Sequence, residues 1–99
     1  MKLRLRITIR AADEIDRADT WWRDNRPAAA HAIREDLRRT LDILALQPGI
    51  GQKVMNARLS GVRRIHLDRV HHHLYYRQQG DQLVVLRFWP SQRVAQPRV

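Results

Sequence analysis

Ninety-nine residues, 43% of them apolar and 29% charged, suit a single compact domain over 1–99 and exclude a disordered or multi-lobed chain. The absence of cysteine excludes a disulfide framework, a thiolate nucleophile and cysteine-held zinc. Nineteen basic against ten acidic residues leave a charge of +9; the apolar run Leu83–Leu86 is far too short for a membrane span, and a cytoplasmic protein is expected.

Leu3, Leu5, Ile7 and Ile9 alternate with Lys2, Arg4, Arg6, Thr8 and Arg10, which predicts an opening strand with one wet face. A helical period follows, with Ile15, Ala18 and Trp22 on one stripe and Ala11 or Ala12 a turn earlier. It predicts a first helix over about 11–24, with Asp13 and Glu14 in its first turn, at the positive end of the helix dipole. Asp13–Arg17 and Asp19–Arg23 are oriented i,i+4 pairs. Asn25-Arg26-Pro27 breaks this helix, and Pro27 suits the first turn of a second one. Ala30, Ile33, Leu37, Leu41 and Leu44 carry that helix to Pro48-Gly49, with Glu35–Arg39 as a further pair. So short a link makes the two helices an antiparallel hairpin.

After Gly49, Gly51 and Gly61 come three strand-like segments, Val62–Leu67, His72–Arg77 and Leu83–Trp89. Their turns, near Asp68-Arg69 and Gln79-Gly80-Asp81, are short enough only for an antiparallel meander. The continuous apolarity of Leu83-Val84-Val85-Leu86 predicts a strand that is central or buried on both faces. The fold class is α+β, with the helices on one face of the sheet, and residues 90–99 form an irregular tail.

The charge is uneven. Residues 11–42 carry a net −2, residues 43–99 a net +7 and residues 1–10 a further +4. Seventeen of the nineteen basic residues are Arg, which favours planar, bidentate contacts to phosphate or carboxylate. A nucleic acid, an acidic protein or an anionic surface is the implied partner. Arg63 and Arg64 point to opposite faces of their strand, since successive side chains alternate. With Arg77, Arg87 and Arg93 they predict a cationic cluster on an open sheet face; the alternative is separate pairing with helix carboxylates. Trp22 follows the core stripe, Trp21 leaves it, and Phe88 and Trp89 point to opposite faces, so Trp89 beside Arg93 is a candidate contact surface. His71 and His73 would share a strand face, with His66 as a third neighbour, but solvent-facing histidines are the commoner outcome of such a run, and no metal site is assigned. Gly49-Ile50-Gly51 lacks the flanking strand and helix of a phosphate loop. No pair of carboxylates is expected inside a cleft. For proton transfer the chain offers only His66, His71–His73, Tyr75 and Tyr76.

A longer pattern runs through Ala12, Ile15, Trp22, Asn25 and Pro27-Ala28, then Ile33, Leu37, Leu41, Leu44 and Gln47-Pro48-Gly49-Ile50-Gly51. It continues through Leu59, Gly61-Val62-Arg63-Arg64, His73-Leu74-Tyr75-Tyr76-Arg77, Val85-Leu86, Trp89 and Arg93. In order and spacing this resembles the RelE/ParE superfamily of toxins from bacterial type II toxin–antitoxin systems, whose fold has the same element order. The resemblance implies neutralisation by a cognate acidic antitoxin wrapped along sheet and helices, in a toxin–antitoxin hetero-oligomer, with no cofactor and no membrane. It also implies one of two actions. RelE-like members cleave mRNA on the ribosome, holding the phosphate with Arg or Lys and moving protons with Tyr or His. ParE-like members inhibit DNA gyrase and block replication. His73 stands where the nuclease branch has a basic residue before Leu-x-Tyr, and Arg93 matches a later Arg. Trp89-Pro90 stands where that branch has His or Tyr, and a missing general acid costs a rate factor of roughly 10²–10⁴. The ParE-like branch is therefore favoured, with His73, Arg64 and Arg93 as the candidate set for the nuclease alternative. Partner-binding candidates are Arg63, Arg64, Arg77, Arg87, Trp89 and Arg93.

Overall fold

A computed structural model describes residues 1–99. The chain forms β1 (Arg4–Ile7), α1 (Ile9–Asn25), α2 (Ala32–Leu46), β2 (Gln52–Lys53), β3 (Arg63–Leu67), β4 (His72–Gln79) and β5 (Gln82–Pro90). One mixed sheet takes the order β1-β5-β4-β3-β2. The meander β3–β4–β5 is antiparallel, as its short turns require. The opening strand returns beside the last one in parallel, Leu5 opposite Leu83 and Ile7 opposite Val85. The two-residue β2 was not foreseen; it pairs with β3 through Gln52–Arg64 and Lys53–Arg63.

Local chemistry moves both helix starts. Thr8 Oγ1 accepts from Ala11 N at 3.1 Å, and this N-cap satisfies one of the free amides of the first turn. The helix therefore begins at Ile9, and Asp13 and Glu14 lie beyond its first turn rather than in it. Pro27 opens only a short 3-10 turn, Pro27–Ala29, and α2 begins at Ala32. Asp13–Arg17 and Asp19–Arg23 pair as expected. Glu35 instead meets Arg69, and Arg39 turns back to Asp36.

The hairpin stripes, Ala11, Ile15 and Trp22 with Ile33, Leu37, Leu41 and Leu44, pack against Leu67, Leu74, Tyr76, Leu83, Val85 and Phe88. Each Leu, Ile, Val or Phe among them, taken wholly from water, contributes roughly 1.5–3 kcal/mol. β5 is an inner strand with Leu83, Val84 and Val85 all buried, as its apolar run predicts. The expected dry face of the opening strand is not formed. Leu5 and Ile7 are 51% and 36% exposed, because β1 is the sheet edge; of its apolar residues only Leu3 packs on the core.

A register shift in the β4–β5 pairing puts Val85 opposite Tyr76 and Arg87 opposite Tyr75, leaving Leu86 as the extra residue of a bulge. The bulge inverts the alternation, so Phe88 joins the core and Trp89 faces away from the helices. That second face is not bare, which corrects the open sheet predicted above. Val62, Tyr75 and Val99 form a buried cluster there, flanked by Val54, Ala57, Leu86 and Trp89. The irregular tail is pinned over it: Arg58 N and Leu59 N donate to Val99 O at 2.7 and 3.2 Å. Trp89 Nε1 donates to Ala95 O at 2.9 Å and Gln96 Nε2 to Met55 O at 3.2 Å. Tyr75 and Leu86 direct large apolar side chains to this side, and covering them outweighs the cost of ordering a short tail.

Candidate functional site

Register decides which polar side chains meet. Arg64 lies opposite Tyr75 and His66 opposite His73, and residues directly opposite share a face. All four therefore stand on the side away from the helices. Arg64 Nη1 donates to Tyr75 Oη at 3.4 Å, and the His66 and His73 rings are 4.9 Å apart. His66 Nδ1 donates to Asp68 at 2.6 Å. His73 Nδ1, in contrast, has no partner and is shut off from solvent. Burial, and then the positive charge of Arg64 and the neighbouring His66 and His72, hold His73 below the ordinary histidine range. Arg77 Nη1 reaches Ser60 O at 3.4 Å, while its buried Nε is unpaired.

Arg63, as expected, parts from Arg64. It turns to the helix side and donates Nη1 to Gly51 O at 2.8 Å, so its partner is a carbonyl rather than a carboxylate. Tyr76 Oη accepts from Gly51 N at 2.9 Å and donates to Pro48 O at 2.8 Å. A Cβ on Gly51 would strike that hydroxyl and the Arg64 carbonyl. This glycine is needed for close approach of the backbone.

Arg87 is removed from the predicted open cluster. Its Nε and Nη2 hold Glu14 of α1 at 3.1 and 2.8 Å, and Glu14 also accepts from Phe88 N at 3.0 Å. Its Nη1 donates to Arg98 O at 3.2 Å. Arg87 and Arg93 both lie over the Trp89 ring, at 4.8 and 4.5 Å. Arg93 is exposed and forms no ion pair. Of the three nuclease candidates, Arg64 and His73 therefore adjoin, while Arg93 stands beyond Trp89, the register partner of His73.

The histidine run does not share a face. His71 sits in a turn with φ +54°, outside the strand. His72 begins β4 and stacks on Phe88 at 4.4 Å, donating Nδ1 to Val70 O at 2.8 Å. No group of three His, Asp or Glu side chains is placed to hold a metal ion. Burial chiefly, aided by nearby His71 and Arg93, lowers the His72 pKa. A half-buried histidine with a lowered pKa resists the proton that the unfolded chain accepts near 6.5. Stability is thus complete above that pH and falls as pH drops below it. Urea midpoints measured from pH 8 to pH 5 should decline more steeply in the native chain than in His72→Gln, and parallel curves would refute this.

Between α1 and the end of β5 lies a cleft of about 960 Å³. Trp21, Trp22, Phe88 and Trp89 give it its flat walls. Trp21 is 51% exposed with Arg26 above it at 5.7 Å, as its departure from the stripe predicts. Asp13 and Glu14 both line the cleft, against the expectation that no carboxylate pair would enter one, but Arg17 and Arg87 engage them.

The family model described as the ParE toxin of the type II toxin–antitoxin system parDE matches residues 5–95. A solved structure titled "Chromosomal ParDE TA system from P. aeruginosa" superposes with a TM-score of 0.73 at 21% identity, covering 92% of this chain and 98% of that one. At that identity the likeness concerns the fold. No curated protein sequence matches this chain.

Proposed function

Because this chain belongs to the family of ParE toxins of type II toxin–antitoxin systems, we propose that it arrests growth in the cytoplasm by inhibiting DNA gyrase, and that an acidic antitoxin neutralises it. The family match over residues 5–95 carries this reading. The charge of +9 supports an acidic partner. Arg64, Arg77, Trp89 and Arg93 are the contacts we assign to partners, whereas Arg63 and Arg87 act by holding a loop and a helix in place. Inhibition then proceeds by docking, without covalent chemistry in the toxin. Inducing the gene without its antitoxin should give filamentous cells and a DNA-damage response. Rapid mRNA cleavage with intact DNA would overturn the gyrase assignment.

One observation favours the second reading, a ribosome-dependent endoribonuclease: Arg64, Tyr75, His73 and His66 form one contiguous group. It requires that His73→Ala and Arg93→Ala each abolish toxicity while antitoxin binding survives. Unchanged toxicity in both removes it.

A further inference from the structure

The cleft beside α1 shares Trp89 and Arg93 with the contacts assigned above, but neither function uses its α1 side, Arg10, Trp21 and Arg26. Its apolar lining is mostly aromatic, with Trp21, Trp22, Phe88 and Trp89 against Ala18, Val70 and Pro90. Grooves that seat a helix or strand offer aliphatic pockets to protruding side chains. This one offers flat π surfaces, Trp21 with Arg26 over it and Trp89 with both Arg87 and Arg93 over it. Its free charge is of one sign. Arg10, Arg26 and Arg93 line the cleft, are exposed and are absent from every ion pair, whereas both lining carboxylates are already engaged. Trp22, buried among the lining residues, has an indole N–H without a partner.

We propose that this cleft binds single-stranded nucleic acid, with bases stacked at Trp21 and Trp89 and phosphates held by Arg10, Arg26 and Arg93. Stacking on aromatic rings beside a basic track is how unpaired strands are held without sequence readout. A duplex keeps its bases stacked on each other and cannot use the tryptophans. An acidic peptide would satisfy the arginines but leave the π surfaces poorly covered.

The test is fluorescence anisotropy of a labelled twelve-nucleotide oligothymidylate with the full chain, over a salt series. An Arg26→Ala/Arg93→Ala variant should bind at least tenfold more weakly, and its log–log salt slope should shrink by about 1.4, some 0.7 for each lost phosphate contact. Trp21→Ala should also weaken binding and remove part of the tryptophan quenching that the oligonucleotide causes. The control, Arg6→Ala/Arg38→Ala, loses the same charge from exposed positions outside the cleft and should change affinity less than threefold. All four arginines are exposed, so the variants fold, and circular dichroism verifies this. Equal losses in both double variants would reduce the binding to net charge and overturn the proposal. Tighter binding of the duplex form, or of a glutamate-rich peptide, would overturn it as well.

Discussion

Glu14→Ala lowers the stability of the chain by about 3–5 kcal/mol, the cost of leaving one partner of a buried ion pair alone. The Glu14 and Arg87 side chains are 19% and 11% exposed, so water screens neither well. Removing the carboxylate strands the guanidinium and also frees Phe88 N, which donates to the same group. Against a total of roughly 5–15 kcal/mol, the loss is enough to unfold a weak member of that range. Replacing both partners by apolar residues, Glu14→Leu with Arg87→Met, should restore most of it, since the pair repays little beyond its own desolvation. Urea denaturation of the single and double variants checks this, and a single-variant loss below about 1 kcal/mol would show that solvent reaches the pair. The effect extends to the contact surface proposed above, because Arg87 also lies over Trp89 and holds the tail at Arg98. Lost toxicity in Glu14→Ala therefore reports a displaced scaffold as well as a lost fold.

Gly51→Ala costs about 3 kcal/mol, whereas Gly49→Ala two residues away lies within about half a kcal/mol of the native chain. The added methyl at Gly51 meets Tyr76 Oη and the Arg64 carbonyl. The hydroxyl can swing aside only by giving up Gly51 N and Pro48 O, which are buried or half-buried bonds worth about 1 kcal/mol each. The carbonyl belongs to the β2–β3 ladder and cannot yield. At Gly49 nothing lies within 4 Å of the new atom. Thermal unfolding of the two variants side by side gives the comparison, and equal midpoints would mean that the loop relaxes freely.

Much of this fold is legible in the chain because periodicity and turn length are local signals. The stripe Ile33, Leu37, Leu41 and Leu44 and the run Leu83–Val85 are buried where the pattern places them. Three features were not legible, each for a physical reason. The Leu86 bulge leaves no mark in a run that is apolar at every position, yet it decides that Arg87 faces Tyr75 and that Trp89 leaves the core. Cover over the second face depends on a tail without period. The long-range partners of Glu14, Asp19 and Asp36 lie far off in sequence, although a signal existed. Each of these acids sits three or four residues from members of the apolar stripe, at Ala11 and Ala18, Ile15 and Trp22, or Ile33. A carboxylate on a buried stripe needs a cation, and Arg87, Arg34 and Arg69 supply it. Those arginines are structural, and composition alone counted them with the partner-seeking excess. At the candidate site, the separation of Arg63 from Arg64 follows from alternation, whereas the face on which Trp89 meets Arg93 is set by the bulge. The Arg64–Tyr75 and His66–His73 juxtapositions follow from a register that only the folded sheet fixes.

The pairing of β1 with β5 has a consequence for biosynthesis. Arg4 and its partner Asp81 are 77 positions apart, so the first residues to be translated wait for nearly the last before their strand has a neighbour. Until then the helices have no sheet to cover, and contacts of such long range form slowly. Strand β1 can therefore close its side of the sheet only after β5 has been made.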